Sequence, residues 1–298
     1  MSPATKTLDR NRRLGRPQEE PTEGPTSPQV RELVFERRSG WRVIDLGELW
    51  RYRELLFFLS WRDVKVRYKQ TLLGASWAIL QPLMMMMAFT VFFSRMAGMT
   101  SGGVPYPLFA LAGLLPWLFL ASAMAGAANS VVGSERLITK VYFPRLLIPF
   151  SAVAAATVDF AVSLMLLAPM MAWYGVAPGA GLALAPAIFG LIVLLALGLG
   201  TLLAALNVAY RDFKAVIPFL TQFWMFATPT IYLEPSRVSR SVLWLNPMAA
   251  LVASFRAALL GGPIPWGPLA SAAAVAVAVG LLGCFYFRRN EQSFADLI

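Results

Sequence analysis

Few residues in this chain can do chemistry, and their scarcity narrows the choices. There is no histidine and a single cysteine, Cys284, inside an apolar run. An intrachain disulfide, a His/Cys metal site and a Ser-His or Cys-His nucleophile are therefore excluded. No Gly is followed by Lys, so the phosphate-binding pattern G-x-x-x-x-G-K-[ST] is absent too. What remains is charge in unusual places. The stretch "SERLITKVYFPRLLIP", Ser134 to Pro149, sets Glu135, Arg136, Lys140 and Arg145 between two long uncharged runs. Asp159 is the only acid in the middle of an apolar segment. A proton or cation relay is one use for it, but a relay usually needs a second buried acid or a His. A carboxylate turned into the bundle and hydrogen-bonded to Ser, Thr or backbone fits better.

The elements that hold these residues follow from composition. Of 298 residues, 57% are apolar and only 14% charged, with a mean hydropathy of +0.60. Soluble domains carry about 25% charge, so the pattern is that of an all-α polytopic membrane protein. Six spans are predicted, at about 74–94, 108–132, 146–174, 182–209, 216–232 and 269–287. The first, Gly74 to Ser94, would be roughly 31 Å long at about 1.5 Å per residue, one hydrocarbon thickness. "GVAPGAG", Gly175–Gly181, breaks the third from the fourth.

All but four of the 26 Lys and Arg fall on one side of this arrangement; Arg95, Arg237, Arg240 and Arg256 fall on the other. The positive-inside rule then puts both termini and the Ser134–Pro149 stretch in the cytoplasm. The net charge of +10 is thus topological, with no nucleic-acid partner implied. Residues 1–40 are polar, rich in Pro, Glu, Arg and Thr, and read as a disordered cytoplasmic tail with no signal-peptide core.

Two segments are neither spans nor plain loops. Residues 46–72 carry a polar stripe (Arg51, Glu54, Arg62, Lys65, Lys69) and an apolar one (Phe57, Trp61, Val64, Tyr68, Leu72). This predicts an amphipathic helix in the membrane interface, with membrane lipid as its partner. Leu245 to Trp266 begins with an Asn246 cap and Pro247 at the first helical position, and ends at Gly261-Gly262-Pro263. About 14 helical residues are too few to span, which predicts a re-entrant or interfacial helix on the outer side. Within the opening stretch, Ser134 can cap a two-turn helix that Pro144 stops. Leu137, Ile138, Val141 and Tyr142 share one face; Arg136, Thr139 and Lys140 share another. A helix this short is unstable alone and must dock on the membrane, on this chain or on a partner. Aromatic residues gather near span ends, among them Tyr106, Phe109, Trp117, Phe119, Trp224, Phe226 and Tyr232. Most such rings anchor at the interface; some could line a path along which flat sugar faces slide.

Several stretches together resemble the permease subunit of ABC-2-type exporters of polysaccharides, the group that moves O-antigen, capsule or teichoic-acid chains. They are "LLFFLSWRDVKVRYKQTLLGASWAILQPL", "GVPYPLFALAGLLPW", "NSVVGSERLITKVYFPRLLIP", "LNVAYRDFKAVIPFLTQFWMFATPTIY", "LNPM" and "FRRNEQSFADLI", in order from about Leu46 to Ile298. The resemblance implies a homodimer of six-span subunits in a bacterial inner membrane, served by two separate ATP-binding subunits. No cofactor would sit on this chain; ATP and Mg would bind the partner. Glu135, Arg136, Leu137, Ile138, Lys140, Val141 and Tyr142 would form a coupling helix seated in the ATPase, and Arg145 would fix the start of the third span. Arg211, Asp212 and Lys214 would make a second cytoplasmic contact. Asn246, Pro247, Phe255 and Arg256 would belong to an outer gate. A polyprenyl-diphosphate-linked glycan would load from the cytoplasmic face, its diphosphate held by Arg62, Lys65, Arg67 and Lys69, and pass the aromatics named above. A drug or simple-lipid exporter of the same superfamily is the alternative. A membrane-embedded lipid glycosyltransferase would need clustered acids or a metal motif that Asp63 and Asp212 do not make, and Asp159 alone is thin support for a secondary carrier.

Overall fold

The computed structural model describes residues 46–69, 74, 76–96, 103–140, 143–210, 212–230, 244–291 and 294. The polar tail, Val141, Tyr142, Arg211 and Tyr232 lie outside them. Two helices, α1 (Leu46–Arg51) and α2 (Arg53–Lys69), precede α3 (Ser76–Phe89), which runs on into a π-helical stretch, Thr90–Met96. Then come α4 (Tyr106–Gly133), α5 (Glu135–Lys140), α6 (Leu147–Leu164) and α7 (Leu167–Tyr174). A 3-10 turn, Ala180–Leu184, leads into α8 (Ala185–Ala209), followed by α9 (Phe213–Phe226), α10 (Pro247–Leu260) and α11 (Trp266–Asn290). Among the described residues there is no strand.

Five stretches are long and apolar enough to cross a membrane: Ser76–Phe93, Tyr106–Gly133, Leu147–Trp173, Ala180–Ala209 and Trp266–Asn290. These match five of the six predicted spans. The fifth prediction, 216–232, runs past the described residues, which hold only its first part. Helix α9 has 14 residues, about 21 Å at 1.5 Å per residue, short of the hydrocarbon core. The cause is in the sequence: Pro229 disfavours helical geometry at Thr228, and the chain turns after Phe226. The third span is jointed at Met165–Leu166, where Leu166 N–H bonds to the Ser163 carbonyl at 3.1 Å, a tightened turn. Pro169 explains the joint, because its ring would press on the carbonyl four residues back. Gly175, at φ +66°, ends α7 in the left-handed conformation, so the predicted break begins where expected.

Helix α4 is the centre of the bundle. Of its most apolar window 78% is buried, against 11% for the first span. It packs on α6, α8, α10 and α3. Helix α8 in turn approaches two neighbours through glycine. A Cβ on Gly198 would lie 2.6 Å from the Gly280 nitrogen of α11, and one on Gly200 would lie 2.6 Å from Ala127 Cβ of α4. Close backbone approach of this kind drives helix association in lipid, where burial of apolar area does not. Gly198→Ala should therefore cost about 1–3 kcal/mol by overpacking. Thermal unfolding in detergent checks this, with Gly190→Ala as control, since a Cβ there meets nothing within 4 Å.

Candidate functional site

The cytoplasm-assigned end of the bundle is held by a second buried cluster that joins distant parts of the chain. Leu59 of α2, Val131 of α4, Ile138 of α5, Leu147 and Ile148 of α6, Ala204 and Val208 of α8, and Phe287 of α11 all contribute. Phe294 stands edge-on to Phe287 at 5.1 Å. Asn207, 4% exposed, donates to the Ala128 carbonyl at 2.9 Å and ties α8 to α4.

Helix α5 grows from the foot of α4. The Ser134 carbonyl accepts from Leu137 and Ile138 N–H at 2.9 and 3.1 Å, so the backbone of the predicted cap residue starts the helix. Its two sides differ in burial. Ile138 is 7% exposed, and Leu137 packs half-buried beside it, both against this chain's own cluster. In this arrangement they hold α5 to its own bundle. The outward edge is Glu135, Arg136, Thr139 and Lys140, all exposed. Arg145 donates to the Glu291 carbonyl, which fastens the start of α6 to the end of α11. Asp212 and Lys214 are exposed at the start of α9, whose first turn closes on the Asp212 carbonyl rather than its side chain.

Helix α2 departs from a two-faced reading: its charged and apolar residues are not segregated onto opposite sides. Leu59 is buried, whereas Phe57 and Trp61 of the predicted apolar stripe are 71% and 50% exposed. Charged side chains reach α6 instead. Asp63 accepts from Ser151 Oγ at 3.0 Å and from Arg62 at 2.8 Å. Four residues on, Arg67 forms an ion pair with Asp159, and the Tyr68 hydroxyl donates to the other Asp159 oxygen. Asp159 therefore does face inward, but its partners are a cation and a phenol, not the Ser, Thr or backbone groups expected. Burial pushes the Tyr68 phenol above its ordinary pKa, against the opposing pull of Arg67, so it remains a donor at neutral pH. Sequence reasoning missed this pairing, although an isolated acid in a span demands a cation. Of the four cations assigned to a diphosphate, Arg62 and Arg67 are thus engaged with carboxylates. Lys65 and Lys69 are exposed, Lys65 with its ammonium 5.5 Å from the Trp61 ring centroid.

Beside this ion pair lies a cavity of about 300 Å³, bounded by Arg67, Tyr68, Trp77, Gln81, Phe119 and Asp159, among others. Of the assigned aromatics, Phe119 borders this cavity and the other described ones fall elsewhere. Tyr106, Phe109, Trp117 and Phe119 are between 2% and 6% exposed, within the core of the chain. Phe119 and Phe255 both lean on Phe160, with centroids at 5.7 and 6.0 Å, so a path residue and a gate residue meet in one buried ring cluster. Trp224 stands edge-on to Trp117 at 5.7 Å, and Phe226 is 59% exposed.

Asn246 performs the capping expected of it and more. Its oxygen accepts from Met248 and Ala249 N–H and from Trp224 Nε1, while its nitrogen donates to the Ala227 carbonyl and Thr228 Oγ1. Pro247 occupies the first helical position, as predicted. Gly261, at φ +86°, closes α10. Arg256 lies over the Phe109 ring, 3.7 Å from its centroid, and donates to the Thr230 carbonyl. A carbonyl and an aromatic face are what a guanidinium needs in place of water.

Comparison with known proteins is consistent in one direction. The ABC-2 type transporter family matches residues 54–260. The O-antigen export system permease protein RfbA of Myxococcus xanthus is 32% identical over 84% of this chain and 98% of its own length. RfbA of Klebsiella pneumoniae is 24% identical over 82% of this chain and 95% of its own. The polysialic acid transport protein KpsM of Escherichia coli is 22% identical over 78% and 92%. By the family match over residues 54–260 and the 32% identity to the Myxococcus xanthus protein, the chain belongs to the ABC-2 type transporter family.

Proposed function

We propose that this chain is the transmembrane permease subunit of an ATP-driven exporter that moves a polyprenyl-diphosphate-linked polysaccharide out of the cytoplasm. The observation that carries the substrate class is the end-to-end similarity to two O-antigen export permeases and a polysialic acid transport protein. The permease works as a homodimer in the bacterial inner membrane, with both termini cytoplasmic, and α9 with the residues after it completes a sixth crossing. Helices α1 and α2 lie against the cytoplasmic leaflet, and α10 is a re-entrant element of an outer gate. ATP and Mg bind two separate ATPase subunits, so this chain must receive its force from them.

Helix α5 is the receiving element. It is joined directly to α4, and its buried Ile138 rests on the cluster that also holds the start of α6. A push on α5 therefore reaches two spans at once, as a rigid-body step requires. Its exposed Glu135, Arg136, Thr139 and Lys140 make the contact through charge, with Val141 and Tyr142 continuing it. Leu137 and Ile138 act from the other side, holding the helix to its own bundle. Asp212 and Lys214, with Arg211, form a second contact.

The double charge reversal Arg136→Glu/Lys140→Glu tests this. Loss of two favourable contacts of about 1.5 kcal/mol each would lower ATPase affinity by roughly two decades. Export in cells should fall to background while the permease still reaches the membrane and unfolds at the wild-type temperature. Normal export from that variant would refute the coupling role. Co-expression with and without the ATPase, assayed for surface polysaccharide, separates this reading from a drug or simple-lipid exporter, which would leave surface glycan unchanged.

A further inference from the structure

The cavity beside Asp159 has a wall chemistry that the export reading does not yet use. Its volume, about 300 Å³, sits at the small end of ligand pockets, with room for one ring rather than a chain. Trp77 is 47% exposed and Gln81 is exposed at its edge, both on α3. The first span is the least buried of the five. The cavity thus lies against the most outward-facing span, where a ligand held in the bilayer could reach it.

Three features narrow the ligand. First, the wall holds Arg67 and Asp159 bound to each other. The pair is neutral as a whole, and a phosphoryl group placed in the cavity would meet the carboxylate at short range. An anion is disfavoured. Second, an ionised carboxylate has about four acceptor positions, and Arg67 and Tyr68 use one on each oxygen. Acceptor capacity remains for hydroxyl donors, and the Gln81 amide adds both a donor and an acceptor. Third, the Trp77 indole supplies a flat apolar face. A ring with hydroxyls at its rim and C–H bonds on its faces satisfies all three.

We propose that this cavity is a subsite for one neutral sugar ring of a lipid-linked glycan, taken in laterally from the bilayer. The sugar face lies on Trp77, and its hydroxyls donate to Asp159 and exchange hydrogen bonds with Gln81. Arg67 is then a positioning residue for Asp159 rather than a diphosphate ligand, and the diphosphate falls to the exposed Lys65 and Lys69. The subsite rests on the export reading above.

The test is a binding titration by native mass spectrometry on the full-length permease in lipid nanodiscs. Two polyprenyl diphosphates of equal chain length are compared, one carrying a single N-acetylglucosamine and one with no sugar. The wild type should favour the glycosylated lipid by about tenfold, the equivalent of one good polar-plus-stacking contact. Trp77→Ala and Gln81→Ala should abolish that preference and leave affinity for the sugar-free lipid unchanged. Both positions are exposed on α3, and an unchanged unfolding midpoint shows that the variants fold. Parallel weakening of both lipids would overturn the subsite and make the cavity a lipid or phosphate contact. Equal binding of both by the wild type, unaffected by the substitutions, would overturn the subsite alone. Binding of neither would overturn the subsite and the export reading together.

Discussion

Gly113→Val should leave little folded permease in the membrane, and Gly113→Ala should fold with a markedly lower unfolding temperature. Gly113 lies one turn beyond Phe109 on α4, on the side where Arg256 is received. A Cβ there would run into the Thr230 carbonyl and Arg256 Nη2, with Arg256 Cζ at 3.1 Å. The guanidinium could swing away, but only by leaving the Phe109 face and the carbonyl that replace its hydration. The backbone carbonyl cannot yield without moving the chain after α9. Overpacking and a lost charged hydrogen bond together amount to about 3 kcal/mol for the alanine variant. Thermal unfolding of the purified protein measures this. Gly126→Ala, on the same helix as Gly113, serves as control, since its Cβ would stand 3.8 Å from Ala152 Cβ of α6. Equal unfolding temperatures for the two variants would show that Arg256 is not seated against Gly113.

Arg67→Ala should destabilise the fold by about 1–2 kcal/mol, below the cost of breaking a fully buried pair because the Arg67 side chain is 36% exposed. Asp159 would then be left charged in a span, with its side chain only 18% exposed. The double variant Arg67→Met/Asp159→Leu should recover most of that loss, because it removes both charges and restores apolar volume. The recovery is what identifies an ion pair; a purely steric role for either side chain would make the two losses add. Burial of the Tyr68 phenol, opposed by Arg67, raises its pKa on folding. Its contribution is therefore complete below the ordinary phenol value of about 10 and is lost as pH rises through the raised one. Stability from this group is accordingly flat across the neutral range.

Spans and their ends were legible because lipid imposes a length and glycine and proline impose stops. The uncharged runs gave five crossings, and Asn246, Pro247 and Gly261 gave α10 to the residue. Helix α9 stops sooner than the apolar content suggests, because Pro229 turns the chain after Phe226. Which face of a helix meets protein was not legible, and for a physical reason. In a bilayer, Phe57 and Trp61 are as well accommodated by lipid as by neighbouring helices, so an apolar stripe does not select the packing face. Polar groups do: Asp63 found Ser151, and Arg67 with Tyr68 found Asp159. The same reasoning explains α5, whose Leu137 and Ile138 turned to this chain's own floor. The candidate coupling residues could be placed on a helix and divided into two faces from the sequence, yet that Leu137 and Ile138 meet this chain's own cluster needed the bundle around them.

The Arg145 bond to the Glu291 carbonyl spans 146 residues of sequence, and Phe287 and Phe294 fill the cluster beneath Ile138 from the same late segment. The floor under the short helix is therefore closed by a helix made long after it. Until then α5 has only part of its seat, and a two-turn helix does not hold its shape unaided. Assembly is ordered by this arrangement: the seat of α5 is finished only once α11, made more than a hundred residues later, has packed against it.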